Sequence, residues 1–121
     1  MSLVRVLPVA VCVWFVAPTF AQDQFVTGKE IQDTWVGKAL VGTTANGAAV
    51  TMRLAADGSA SLSVGSTSDS GTWRATEQGY CTTWKNIRSG QERCFTVKRA
   101  GTKATVFNPD GSVSGQFSDI R

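Results

Sequence analysis

The stretch Gly71–Val97, GTWRATEQGYCTTWKNIRSGQERCFTV, decides the fold. On either side of its middle, apolar and polar residues alternate with a period of two, the signature of strands with one buried face. Cys81 opposite Cys94 pairs Tyr80 with Phe95. In that register Tyr80, Thr82 and Trp84 share a face with Phe95 and Val97, while Cys81 and Thr83 share the other face with Thr96 and Lys98. The apolar side is coherent, so the reading is a β-hairpin with a disulfide on its outer face. The connecting turn falls either at Asn86-Ile87-Arg88-Ser89 or around Ser89-Gly90, the second requiring a bulge.

Outward from this hairpin the same grammar continues. Asn46-Gly47, Asp57-Gly58, Ala100-Gly101 and Asn108-Pro109-Asp110-Gly111 are turn sequences. They separate short alternating runs at Ala39–Ala45, Val50–Leu54, Ala60–Val64, Lys103–Phe107 and Ser112–Phe117. Gly65–Ser70 reads as a polar loop. Upstream, Thr27-Gly28-Lys29-Glu30 has the spacing of a helix capping box, with Glu30 returning to the Thr27 amide. Ile31 and Trp35 follow on one face and Gly37 offers a stop, so a single helix is expected over 28–36, covering an open end or seam.

Eight strands joined by short turns pair in sequence as an up-and-down meander. Each has one apolar face, and closing the sheet on itself buries that face and removes the edges. The expected fold is mainly β: a small, closed or flattened eight-stranded barrel with one short N-terminal helix. Two stacked sheets would satisfy the same alternation. Leu54, Leu62, Trp73, Tyr80, Phe95, Val106 and Phe117 are its expected core.

The first residues read as a targeting segment. Arg5, an apolar run over Val6–Val16 and the small-residue site Thr19-Phe20-Ala21 match a cleaved signal peptide over 1–21. The run is short of the roughly 20 residues that a spanning helix needs, so no membrane span is expected after cleavage. The remainder, 22–121, is of a size for one domain. Of the three cysteines, Cys12 departs with the signal, and the pair left in an exported chain implies a disulfide. The expected location is periplasmic or secreted.

Function is less legible. Twelve Lys+Arg against nine Asp+Glu make a mild positive excess, without the basic stripe that nucleic-acid binding requires. The chain has no histidine, which removes the commonest general base and metal ligand. Bridged cysteines supply neither a nucleophile nor a metal ligand. Asp57, Asp69 and Asp110 read as turn residues. No cofactor, metal or catalytic group is therefore expected, and the chain reads as a binder rather than an enzyme. The candidate contact residues are Trp84, Lys85, Ile87, Arg88 and Arg93, with Ile87 and Arg88 projecting at the hairpin tip and Arg93 stacked on Trp84 at the barrel mouth. They suit an envelope protein or a small apolar or anionic ligand.

The order Gly71-x-Trp73, Tyr80-Cys81-x-x-Trp84, Arg93-Cys94-Phe95 and Pro109-Asp110-Gly111 resembles a group of small secreted proteobacterial domains of unknown function. Those carry a G-x-W strand, a strand with Cys and Trp, and a Cys-Phe strand. The histidine usual after that last strand is missing here. The resemblance implies an exported β domain and brings no activity. More distantly, the expected architecture is similar to lipocalin-like barrels and to periplasmic barrel inhibitors of proteases or lysozymes, which makes hydrolase inhibition the alternative function.

Overall fold

The hairpin built by the quoted stretch is one corner of a closed barrel. The computed structural model describes residues 24–118, so the expected signal segment 1–21 lies outside the described residues. Ten elements follow one another: β1 (Gln24–Phe25), α1 (Gly28–Thr34), β2 (Leu40–Thr44), β3 (Ala49–Leu54), β4 (Ser59–Val64), β5 (Thr67–Thr76), β6 (Gly79–Trp84), β7 (Arg93–Ala100), β8 (Lys103–Phe107) and β9 (Val113–Ser118), with a short 3-10 turn at Ile87–Gly90. Each strand from β2 to β9 is antiparallel to the next, and β9 returns to β2 through Val41↔Ser118 and Thr44↔Gly115. That last pairing closes an eight-stranded up-and-down barrel. Gly42 sits on this seam, where a Cβ would lie 1.7 Å from the carbonyl oxygen of Gln116, so no larger residue fits without parting the strands.

β1 is an extra strand that the alternation did not reveal. It pairs with β7 through Gln24↔Arg99 and Phe25↔Lys98. There it continues the side of β7 that β6 leaves after Gly79↔Thr96. Two residues are too few to show a period. A second correction concerns Gly65–Ser70. Val64 pairs with Thr67 across Gly65-Ser66, with Gly65 at φ +57°, so the loop is a two-residue turn and Thr67–Ser70 is already strand. Both faces of β5 are polar here, since it nears the open end of the barrel, and no apolar alternation marks it. Asp69 thus lies in a strand, opposite Leu62, and not in a turn.

The disulfide joins Cys81 to Cys94, in the register that pairs Tyr80 with Phe95. Its outer side carries a two-point ion pair, with Arg74 Nε and Nη2 at 3.0 and 2.9 Å from the Glu92 carboxylate. That contact holds Glu92 below the usual carboxylate range. Asp57 and Asp110 each accept the amide and the hydroxyl of the serine two residues on, Ser59 and Ser112. Both are turn residues, as their neighbours Gly58 and Gly111 suggest.

The helix is shorter than the expected 28–36. Thr27 Oγ1 accepts the Glu30 amide at 3.1 Å as a capping box requires, and the helix ends at Thr34 with Trp35 as its C-cap. Glu30 does not complete the box. Its carboxylate pairs with Arg99 on β7 instead, tying the helix to the barrel wall. A charged partner within reach competes successfully with a backbone amide.

α1 and the residue after it close one end. Ile31 and Trp35 are both 0 % exposed. The Trp35 ring lies 5.9 Å from Tyr80 and 5.8 Å from Phe117, centroid to centroid. Leu54, Tyr80, Phe95, Val106 and Phe117 are buried as expected. Leu62 and Trp73 are only half-buried. Leu62 has cavity on one side, and the Trp73 indole donates to the Ala55 carbonyl at 2.7 Å, locking the β3–β4 turn from the barrel's edge. Among the described residues, no helix is long and apolar enough to cross a membrane.

Candidate functional site

With one end plugged by Trp35, the other end stays open. It is framed by the β2–β3, β4–β5, β6–β7 and β8–β9 connections. Below them lies a cavity of about 410 Å³ inside the barrel. Val50, Met52, Leu62 and Val64 make its wall on β3 and β4, and Tyr80 and Phe117 form the floor above Trp35. Thr82, Trp84 and Phe95 line the side built from the disulfide hairpin.

The cation in this space is Arg88. It comes from the β6–β7 loop, which leaves β6 after Trp84 and re-enters at Arg93 without a register shift in the hairpin. The expectation that the tip projects away from the barrel is corrected here. Ile87 packs against the core cluster, and the Arg88 guanidinium reaches inward. Its Nη2 donates to Thr82 Oγ1 at 3.0 Å, and the group lies 5.3 Å above the Phe95 ring centroid. Its Nε is buried and meets no acceptor among the described residues. Burial lowers the Arg88 pKa from its ordinary value, and nearby Arg93 acts in the same direction. An arginine remains charged through such a shift. Burial also pushes the Tyr80 phenol up, while the Arg88 charge opposes it, so the phenol keeps its proton at neutral pH.

The inward course of the loop has a definite cause. Asp69 on β5 accepts the amides of Ile87 and Asn86 at 2.8 and 2.9 Å, as well as that of Ser70 at 2.8 Å. These donors, the Ile87 amide foremost, hold its carboxyl below the usual range. The next two residues are then left-handed, Arg88 at φ 57°, ψ 30° and Ser89 at φ 54°, ψ 33°. Each such non-glycine residue costs roughly 1–3 kcal/mol and persists only where its surroundings over-determine it.

The structure therefore brings Trp84, Ile87 and Arg88 to the cavity. Lys85 and Arg93 are exposed. Arg93 lies opposite Thr82, with inward parity at the rim, and the cation stacked in the barrel is Arg88 on Phe95 rather than Arg93 on Trp84. Sequence reasoning placed Tyr80 in the core but not at a cavity, and it missed Asp69 and Thr82 as site residues. Thr82 had a signal: a hydroxyl in phase with Tyr80 and Trp84, and it is 1 % exposed. Asp69 had none, because its loop partners lie 17 and 18 residues away. Cys81, Glu92 and Cys94 come together in space, but their sulfurs are committed to the disulfide and offer no thiolate.

No protein family, curated protein or solved structure matches the chain.

Proposed function

We propose that this chain is a non-enzymatic, exported binding module that takes a small and largely apolar ligand into the open end of its barrel. One observation carries this reading: the cavity of about 410 Å³, walled by aliphatic and aromatic side chains and reached from one end. Small-molecule sites are typically concave, of about 300–1,000 Å³, mostly apolar, with a few placed polar groups. Export is supported by the signal-like segment 1–21 and by the disulfide, a bond that persists in oxidising compartments. Hydrolase inhibition calls for a protruding rigid loop on a filled barrel. The inward loop and the unfilled interior favour the ligand binder instead.

The test is titration with a neutral apolar fluorophore, N-phenyl-1-naphthylamine. Binding should be saturable, one probe per chain, with a blue-shifted emission. Leu62→Trp, which places a larger ring at the cavity wall, should abolish it without unfolding the barrel. Absence of saturable binding by the folded protein refutes the cavity reading.

A further inference from the structure

We infer that the cavity selects an anion-headed amphiphile, a carboxylate on a medium-length apolar chain, with the carboxylate against Arg88, Thr82 and Tyr80 and the chain along Val50, Met52, Leu62 and Val64. This rests on the cavity reading above and adds the chemical class of the ligand.

Three independent observations lead to it. The first is charge. Among the described residues lining the cavity Arg88 is the one that is ionised, and none of them carries a carboxylate. No ion pair among the described residues involves Arg88. The nearby acids have other work. Asp69 is occupied by loop amides, and Asp110 holds its own turn and feels Arg93. A cation facing apolar walls without a counter-charge is unfavourable, and an incoming anion relieves that cost.

The second is hydrogen-bonding capacity. A guanidinium carries five N–H donors in a flat fork. Arg88 makes one hydrogen bond among the described residues, from Nη2 to Thr82, so its remaining Nη N–H groups are left without an acceptor, while the Nε–H is enclosed beyond a ligand's reach. A carboxylate is flat and takes two parallel N–H bonds from such a fork, whereas an ester or alcohol cannot take both as a charged acceptor. Tyr80 lines the same cavity as Arg88, and its phenol, protonated at neutral pH, adds a second polar donor to that space.

The third is backbone geometry. The fold holds Arg88 and Ser89 left-handed and latches the loop through Asp69. The result is a cation placed inside the barrel, when an outward turn would have left it in water. Strain of this kind collects at ligand clamps. A single arginine favours a monoanion over a phosphate dianion, which would bring a second charge into apolar surroundings. Arg93 at the rim adds a field of the same sign, which draws anions toward the mouth.

The experiment is displacement of bound N-phenyl-1-naphthylamine by decanoate and, separately, by 1-decanol, in the wild type and in Arg88→Gln. In the wild type decanoate should bind at least ~10-fold more tightly than decanol, the ratio expected when charge-assisted hydrogen bonds are added to equal apolar contact. Arg88→Gln should erase the preference and still bind the neutral probe. If the probe binds and the wild type does not distinguish the two competitors, the inference falls and the cavity reading stands. The same follows if Arg88→Gln keeps the preference. If the probe itself does not bind, both fall. Should Arg88→Gln misfold, the wild-type ratio alone still decides.

Discussion

Replacing Trp35 with alanine should do more damage than any other single truncation in this barrel. The side chain is 0 % exposed, and it meets Tyr80 and Phe117 at 5.9 and 5.8 Å between ring centroids. It is both the plug of the closed end and the support beneath the cavity floor. Truncating a buried tryptophan costs roughly 3–5 kcal/mol, because the site loses its transfer energy and keeps part of the hole. Small domains have about 5–15 kcal/mol in total. At ~4–8 °C per kcal/mol for a domain of this size, Tm should fall by at least ~12 °C. Trp35→Phe separates packing from polarity. The indole N–H is buried and has no acceptor among the described residues, so its removal relieves a desolvation cost of roughly 1–3 kcal/mol. That gain should offset much of the lost ring volume, and Tm should change far less than in the alanine variant. Thermal unfolding followed by far-ultraviolet dichroism reads both. A fall of only a few degrees in Trp35→Ala, or equal damage from Trp35→Phe, would refute the plug.

Three further predictions concern the walls and the loop. Reduction of Cys81–Cys94, 13 residues apart, should remove roughly 3 kcal/mol by the chain-entropy argument and lower Tm, and thiol labelling of the native protein should be negligible until a reductant is added. Gly42→Ala should destabilise by roughly 1–3 kcal/mol or more, since its Cβ would sit 1.7 Å from a backbone oxygen across the closing seam; a Tm equal to wild type would mean that the seam is open. The Asp69 carboxyl has a depressed pKa when folded, so its contribution is complete above the unfolded value of about 3.9 and is lost as pH falls through the lower folded value. Amide exchange at Asn86 and Ile87 should therefore accelerate relative to the barrel strands in that acidic window, after correction for intrinsic rates, and in Asp69→Ala it should already be fast at neutral pH. Unchanged protection in that variant would remove Asp69 as the latch.

Much of the barrel was legible because the strands from β3 to β9, except the upper half of β5, carry an apolar face with a period of two, while on β2 only Leu40 marks it. Placing Cys81 opposite Cys94 yields a coherent apolar face, but the sequence leaves the turn open between two positions, and the pairing of Cys81 with Cys94 in the structure decides the register. Burying eight one-sided strands favours closure without excluding two stacked sheets, and the pairing of β9 with β2 decides for the barrel. What escaped was of another kind. Thr67–Ser70 is polar on both faces, β1 has two residues, and Glu30 found Arg99 on a distant strand rather than the adjacent amide. The site was half legible for the same reason. The residues of the β6–β7 loop stood out in the sequence as candidates, but their direction depends on Asp69, which is remote in sequence. Local composition makes Ile87 and Arg88 look like a projecting tip, and one long-range carboxylate turns them into the lining of a cavity.

Nuclear Overhauser contacts from the Arg88 side chain test this account most directly. Cross-peaks are expected from the Arg88 δ and ε protons to the Phe95 ring and the Thr82 methyl, since the guanidinium lies 5.3 Å from the ring centroid and 3.0 Å from the Thr82 hydroxyl. Arg88 signals with solvent-averaged shifts and no such cross-peaks, in a barrel otherwise folded, would place the cation outside the cavity and contradict it.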